Sequence, residues 1–212
     1  MRLDHVSYAA GHDQLCDVVQ WLGSALGASF SDGGRHPRFG TQNFVLPLVG
    51  GVYVEVVAAL DHPSADRAPF GRAVRQRAEL GGGWLGWVVA VDDIAPVERR
   101  LSRPAVVGHR VRPDGLDLRW KQIGVMDLMD DPQLPFFVQW LTSAAEHPPP
   151  GFRDGVRLRQ LEISGTPATV CSWLGEPENH PLDDVEVAWV RAEEPGLVAV
   201  HFDTRRGPVR ID

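Results

Sequence analysis

The sequence predicts an α+β fold of paired β-α-β-β-β modules, with a third, partial unit of the same kind at the C-terminal end. Three observations carry this reading. Strand-length apolar or alternating runs are interrupted by single helix-period segments, in the order strand, helix, three strands. That order recurs from Trp84 and again from Val156. The breaker His147-Pro148-Pro149-Pro150-Gly151 sets the third pass apart from the first two. A unit of this kind leaves one sheet face uncovered and needs a partner, and 212 residues suffice for a large shared core.

The elements follow in order. Residues 3–8, Leu-Asp-His-Val-Ser-Tyr, read as the first strand. Asp13 is the expected N-cap of a helix in which Leu15, Val18, Val19, Leu22 and Leu26 recur at helical spacing, closed by Gly27. A strand near 28–31, a loop at 32–37, a strand over 40–48, a Gly50-Gly51 turn and a strand over 52–57 complete the first module. Residues 65–79 read as a linking helix. The second module has a strand at 84–91 and a short helix capped by Asp92 or Asp93, with Pro96 in its first turn. Strands at 106–112 and 116–125 flank the turn Pro113-Asp114-Gly115, and a strand at 134–140 closes the module. The third unit has a strand at 156–163, a helix from Thr166-Pro167 to Gly175, and strands at 185–191, 196–203 and 208–211. The expected division is residues 1–147, with modules at about 1–60 and 83–142, and residues 152–212 packed on them.

With 43% hydrophobic residues the chain is globular rather than disordered. A formal charge of −7 argues against nucleic acid and anionic membrane as main partners, because both demand a basic surface. No apolar run approaches the ~18 residues of a membrane helix, and the first strand begins at once without a signal-type segment, so the expectation is a cytoplasmic protein. Cys16 and Cys171 fall in helical patterns and read as buried free thiols. Phosphate-binding glycine loops, zinc-spaced cysteine pairs and nucleophile elbows are missing from the sequence.

Chemistry is suggested by two strands. In the first, Val6 and Tyr8 share one face and His5 and Ser7 the other; in residues 52–57, Val54 and Val56 share one face, with Tyr53 and Glu55 opposite. If the apolar faces pack on a helix, His5 and Glu55 meet on the far face. Three readings stand side by side: a divalent-metal pair, a hydrogen-bonded pair in a polar cavity, or a Glu55 general base oriented by His5, its pKa raised toward neutrality by burial. Thr41 and Asn43 alternate with Phe44, Leu46 and Leu48 and fall on the same polar face, with Asn43 a candidate donor to an oxyanion. Arg35 and His36 either clamp a substrate carboxylate or pack locally, and Arg110 and Arg112 carry the same two readings. Phe137 shares a face with Gln139, the face expected to line the cavity, with Trp87 and Trp120 as further wall residues.

The stretches Leu3-Asp4-His5-Val6, Gly34-Arg35-His36-Pro37 with Gly40-Thr41-Gln42-Asn43, and Tyr53-Val54-Glu55 form an ordered set with two later ones. Those are Arg112-Pro113-Asp114-Gly115 with Leu118-Arg119-Trp120, and Pro135-Phe136-Phe137-Val138-Gln139-Trp140. Together they resemble the vicinal oxygen chelate superfamily of glyoxalase I, bleomycin-resistance proteins and extradiol dioxygenases, and within it the glyoxalase-like domain proteins. The resemblance covers residues 1–148, with the C-terminal unit like a degenerate third copy. It implies that paired modules form a cupped, barrel-like sheet. In metal-dependent members, ligands for Zn, Ni, Fe or Mn come from the first and last strands of each module. His5 and Glu55 match the first module's positions and Gln139 the last-strand position of the second, whose first strand offers only Leu85, Gly86 or Trp87. The implied function is recognition of a small polar organic molecule by a monomer or homodimer. It includes turnover as a lyase or isomerase, less readily a dioxygenase; the alternative is a metal-free binding protein that sequesters a drug.

Overall fold

A computed structural model describes residues 1–111, 114–143 and 155–212. The first module comprises β1 (Arg2–Ala10), α1 (Leu15–Leu26), β2 (Ser31–His36), β3 (Thr41–Pro47) and β4 (Tyr53–Ala59). Helices α2 (Pro63–Arg67) and α3 (Pro69–Glu79) link it to the second, β5 (Gly83–Ala90), α4 (Ala95–Leu101), β6 (Val106–Val111), β7 (Asp117–Ile123), α5 (Asp127–Asp130) and β8 (Phe136–Trp140). The last unit is β9 (Arg157–Ser164), α6 (Pro167–Leu174), β10 (Glu186–Val190), β11 (Gly196–Thr204) and β12 (Gly207–Ile211). The breaker at 147–151 and residues Arg112 and Pro113 lie outside the described residues.

Local chemistry explains the departures from expectation. The stretch 32–37, expected as a loop, is strand β2, paired with β3. The linking helix is two helices because Pro69 drives the preceding Ala68 to an extended φ, ψ of −81°, 131°. Gln14 rather than Asp13 occupies the N-cap of α1, and no side chain caps it. Cys171 is buried but Cys16 is exposed; both are free thiols.

Eight strands form one sheet in the order β2-β3-β4-β1-β5-β8-β7-β6. In each module the first strand lies parallel to the last, β1 to β4 and β5 to β8. The two first strands pair antiparallel at the centre. At the two ends of the sheet, Arg110 of β6 donates to the Gly33 carbonyl of β2 at 2.8 Å, so the sheet is nearly closed into a cup.

The outer face carries Leu3, Val6, Val54, Val56, Trp87 and Phe137, and it packs on α1, α4 and the C-terminal unit in one continuous hydrophobic cluster. The inner face is different. There Phe70, Ala73 and Val74 of α3 pack on Ala9, Val57, Leu85 and Val88, plugging one end of the cup.

The C-terminal unit repeats the element order but not the sheet order: its four strands run β10-β9-β11-β12, with β10 parallel to β9 across the α6 crossover. It is bonded to the other two units. To the first, the Val49 amide donates to the Val156 carbonyl at 2.9 Å; to the second, the Trp84 indole donates to the Ile211 carbonyl at 3.0 Å, the Trp173 indole to the Pro135 carbonyl at 2.8 Å, and Arg100 to the Trp173 carbonyl at 3.0 Å.

Candidate functional site

Glu55 lies in the middle of β4, directly across the parallel ladder from Ser7. Asn43 of β3 is its diagonal neighbour on the other side, since Val45 is paired with Glu55. Both neighbours donate to the carboxylate: Ser7 Oγ to Oε2 at 2.7 Å and Asn43 Nδ2 to Oε1 at 2.6 Å. Glu55 is 6% exposed. Burial alone pushes its pKa up; the positive charge that His5 and His36 carry when protonated and the two hydrogen bonds outweigh this, and the pKa is lowered. The expectation of a carboxyl raised toward neutrality is corrected on this point: Glu55 is held ionised.

His5 reaches the same face because of a bulge. Leu3 pairs with Val89 and His5 with Val88, which leaves Asp4 as an extra residue in β1. A bulge breaks the two-residue alternation and re-aims a side chain, so Asp4 and His5 turn to the same side. His5 Nδ1 lies 2.7 Å from Asp4 Oδ2. The Trp140 indole donates to Asp4 Oδ1 at 3.0 Å, and the Tyr53 hydroxyl also bonds Asp4. The Tyr53 ring stacks on the His5 ring at 4.4 Å. Burial, with Asp4 and Glu55 nearby, pushes the Tyr53 phenol well above its ordinary pKa, so it stays a donor. His5 Nε2 faces Glu55 Oε2 at 3.9 Å.

A second histidine is locked by an arginine. Arg110 NH1 lies 3.0 Å from His36 Nε2 and donates to Asn43 Oδ1 at 3.0 Å. A guanidinium only donates, so Nε2 accepts and the ring proton sits on Nδ1, 3.0 Å from Thr41 Oγ1. Burial first, then the Arg110 charge, lower the His36 pKa to about 4. Among the described residues, every buried polar or charged side chain except Ser164 belongs to this network. Such concentration is costly in a core unless fully satisfied or used.

The network opens on a cavity of about 60 Å³ lined by His5, His36, Asn43, Tyr53, Glu55 and Arg110 at the polar end. Phe39, Phe70, Trp120, Phe136 and Trp140 form the opposite wall. Their rings touch in sequence, Phe136 to Phe70 and Phe70 to Phe39 at 6.3 Å, Phe39 to Trp120 at 6.2 Å, and Trp120 to Trp140 at 5.4 Å.

Five sequence-predicted site residues do not line the cavity. Arg35 is exposed on β2, and Arg110 is the arginine that enters the cup. Trp87 is fully buried on the outer face, its indole bonded to the Gln133 carbonyl. Phe137 and Gln139 do share a face, but it is the outer one. Phe137 packs against Trp173, and Gln139 bonds the Asp92 carbonyl and the Ile94 amide. Thr41 supports His36 rather than lining the cavity. Asn43, expected as an oxyanion donor, already donates to Glu55. Sequence reasoning missed Asp4, Phe39, Phe70, Phe136 and Trp140. Of these, Phe136 and Trp140 follow at once from shifting the phase of β8 by one residue.

The donor set does not fit the metal centre of the superfamily's metal-dependent members. Gln139 is turned away, Phe136, Val138 and Trp140 occupy the second module's share of the wall, and both Glu55 oxygens accept hydrogen bonds. Among the described residues no three His, Cys, Asp or Glu side chains converge on a common ion position.

This cupped sheet is the vicinal oxygen chelate fold, and the chain belongs to the glyoxalase-like domain family, whose model matches residues 3–202. None of the curated proteins compared matches it. A hypothetical protein from Staphylococcus aureus has the same fold end to end, at 15% identity and a TM-score of 0.74, covering 100% of this chain and 98% of that one. Methylmalonyl-CoA epimerase from Mycobacterium tuberculosis matches at 17% identity and a TM-score of 0.44, over 66% of this chain and 86% of its own. A single-residue variant of the Streptomyces coelicolor methylmalonyl-CoA epimerase, in complex with 2-nitronate-propionyl-CoA, matches at 14% identity and a TM-score of 0.42, over 66% of this chain and 96% of its own.

Proposed function

We propose that the protein binds a small polar organic molecule in the cup and moves a proton on it, as a lyase or isomerase, with His5 and Glu55 at the reacting end. The carrying observation is the buried Glu55 carboxylate, ionised, oriented by two strands and opening on a cavity with His5 Nε2 at 3.9 Å. Removing a proton beside a carbonyl needs an oriented base and a positive group near the oxygen that gains charge. His5 and Glu55 supply the first and Arg110 the second. The cavity's size selects among ligands. About 60 Å³ holds a few heavy atoms, where a drug-sized ligand needs roughly 300 Å³ or more. That favours a small metabolite, or the reactive end of a longer molecule, over a sequestered drug.

The test is thermal shift against a panel of small 2-oxo acids, hydroxy acids and aldehydes. The expected result is a compound that stabilises the wild type and has no effect on Glu55→Gln or Trp120→Ala. A stabilising compound whose effect survives both substitutions would place binding outside the cup.

A further inference from the structure

The Asp4–His5 pair deepens this reading and rests on it. Asp4 is 2% exposed, inserted by a bulge, and accepts from two elements, the Tyr53 hydroxyl in β4 and the Trp140 indole in β8 of the other module, with His5 Nδ1 beside it at 2.7 Å. A carboxylate that already accepts from two donors has only acceptor capacity to offer the third neighbour. The proton between Asp4 and His5 therefore sits on Nδ1. The stacked Tyr53 ring, and Phe136 edge-on at 6.0 Å, fix the plane of the imidazole. Its other nitrogen, Nε2, then points at Glu55 and the cavity with its lone pair bare.

We propose that Asp4 is a positioning residue. It locks His5 as the Nδ1–H tautomer, so that Nε2 takes the proton released by the bound molecule and later returns it, while Glu55 and Asp4 flank the imidazolium formed in between. The balance is simple. One C–H or O–H bond of the ligand breaks, its electron pair stays on the ligand, and one N–H bond forms on His5. Trp140 makes the arrangement a joint product of both modules, because its indole donates to Asp4 Oδ1 from β8.

The experiment needs no ligand. The full chain is labelled with ring-¹⁵N histidine, and His5 is assigned by the signals lost in His5→Gln. The expected wild-type pattern for the neutral His5 ring is a protonated Nδ1 and an unprotonated Nε2. In Asp4→Asn the His5 signals should move toward a mixture of tautomers while those of His36 stay put. A wild-type His5 carrying its proton on Nε2 overturns the proposal even if the Asp4 variant does not fold, and so does an unchanged tautomer in Asp4→Asn. With any compound that proves to exchange a proton on the enzyme, Asp4→Asn should lower kcat at least about tenfold with little change in KM. Equal loss in both would make Asp4 merely structural. Failure to find a ligand tells against the proposed function and leaves the tautomer result standing.

Discussion

Glu55 is held by one donor from each flanking strand, and the two donors differ in kind. Ser7's hydroxyl can reverse and accept, whereas Asn43's amide is fixed because its oxygen accepts from Arg110. Glu55→Gln can therefore aim its amide nitrogen at Ser7 and its oxygen at Asn43. It should cost less than about 1.5 kcal/mol in denaturant unfolding while abolishing the response to ligand. His36 gives a pH signature. Its folded pKa of about 4 lies below the ordinary 6.5, so between these values the unfolded chain binds a proton that the folded chain refuses. Stability is then complete above pH 6.5 and is lost as pH falls toward 4, by about 3 kcal/mol in all. Melting curves across this range should show the loss in the wild type and a flatter profile in His36→Asn. At this scale the sequence was legible where one strand face is wholly apolar. Val54 and Val56 phase β4, and Val6 phases β1, which puts His5 and Glu55 together. Asp4 was not legible, because alternation assigns it to the opposite face and only the pairing with β5 creates the bulge.

Element phase decides the second half of the site. Residues 136–138 are Phe-Phe-Val, apolar on both faces, so no alternation in β8 distinguishes the cavity side. The structure turns Phe136, Val138 and Trp140 inward and Gln139 outward, and the metal question follows from that single rotation. Zn, Ni, Fe or Mn should neither raise the melting temperature nor survive dialysis; stoichiometric metal in elemental analysis would contradict the donor geometry. Helix α3 was legible as a helix, but its place inside the cup was not, since its apolar residues fit either face of a sheet. It seats through Gly71, where an added Cβ would lie 2.3 Å from the Phe39 carbonyl oxygen and 2.7 Å from that of Ala65. Backbone oxygens cannot swing aside. Gly71→Ala should therefore destabilise by about 1–3 kcal/mol, read by chemical denaturation; a neutral result would mean that α3 is loosely seated.

At the scale of the molecule, the repeated order of elements was readable from turns and periodicity alone. The different strand order of the last unit was not, because a crossover helix permits either neighbour for β9. Its apolar residues Leu158, Leu161, Ile163 and Phe202 complete the outer core. We expect one cooperative unfolding transition and no folded fragment after cleavage in 144–154; a stable N-terminal product would show two independent bodies. The proposed function rests on proton transfer in the cup, and its most direct test is ¹H NMR in D₂O with small carbonyl compounds bearing an acidic neighbouring C–H. Deuterium should enter at least one such compound with the wild type, and this exchange should be lost in both His5→Gln and Glu55→Gln. Exchange that persists in both variants, or no exchange with a compound shown to occupy the cup, would contradict proton transfer by this pair.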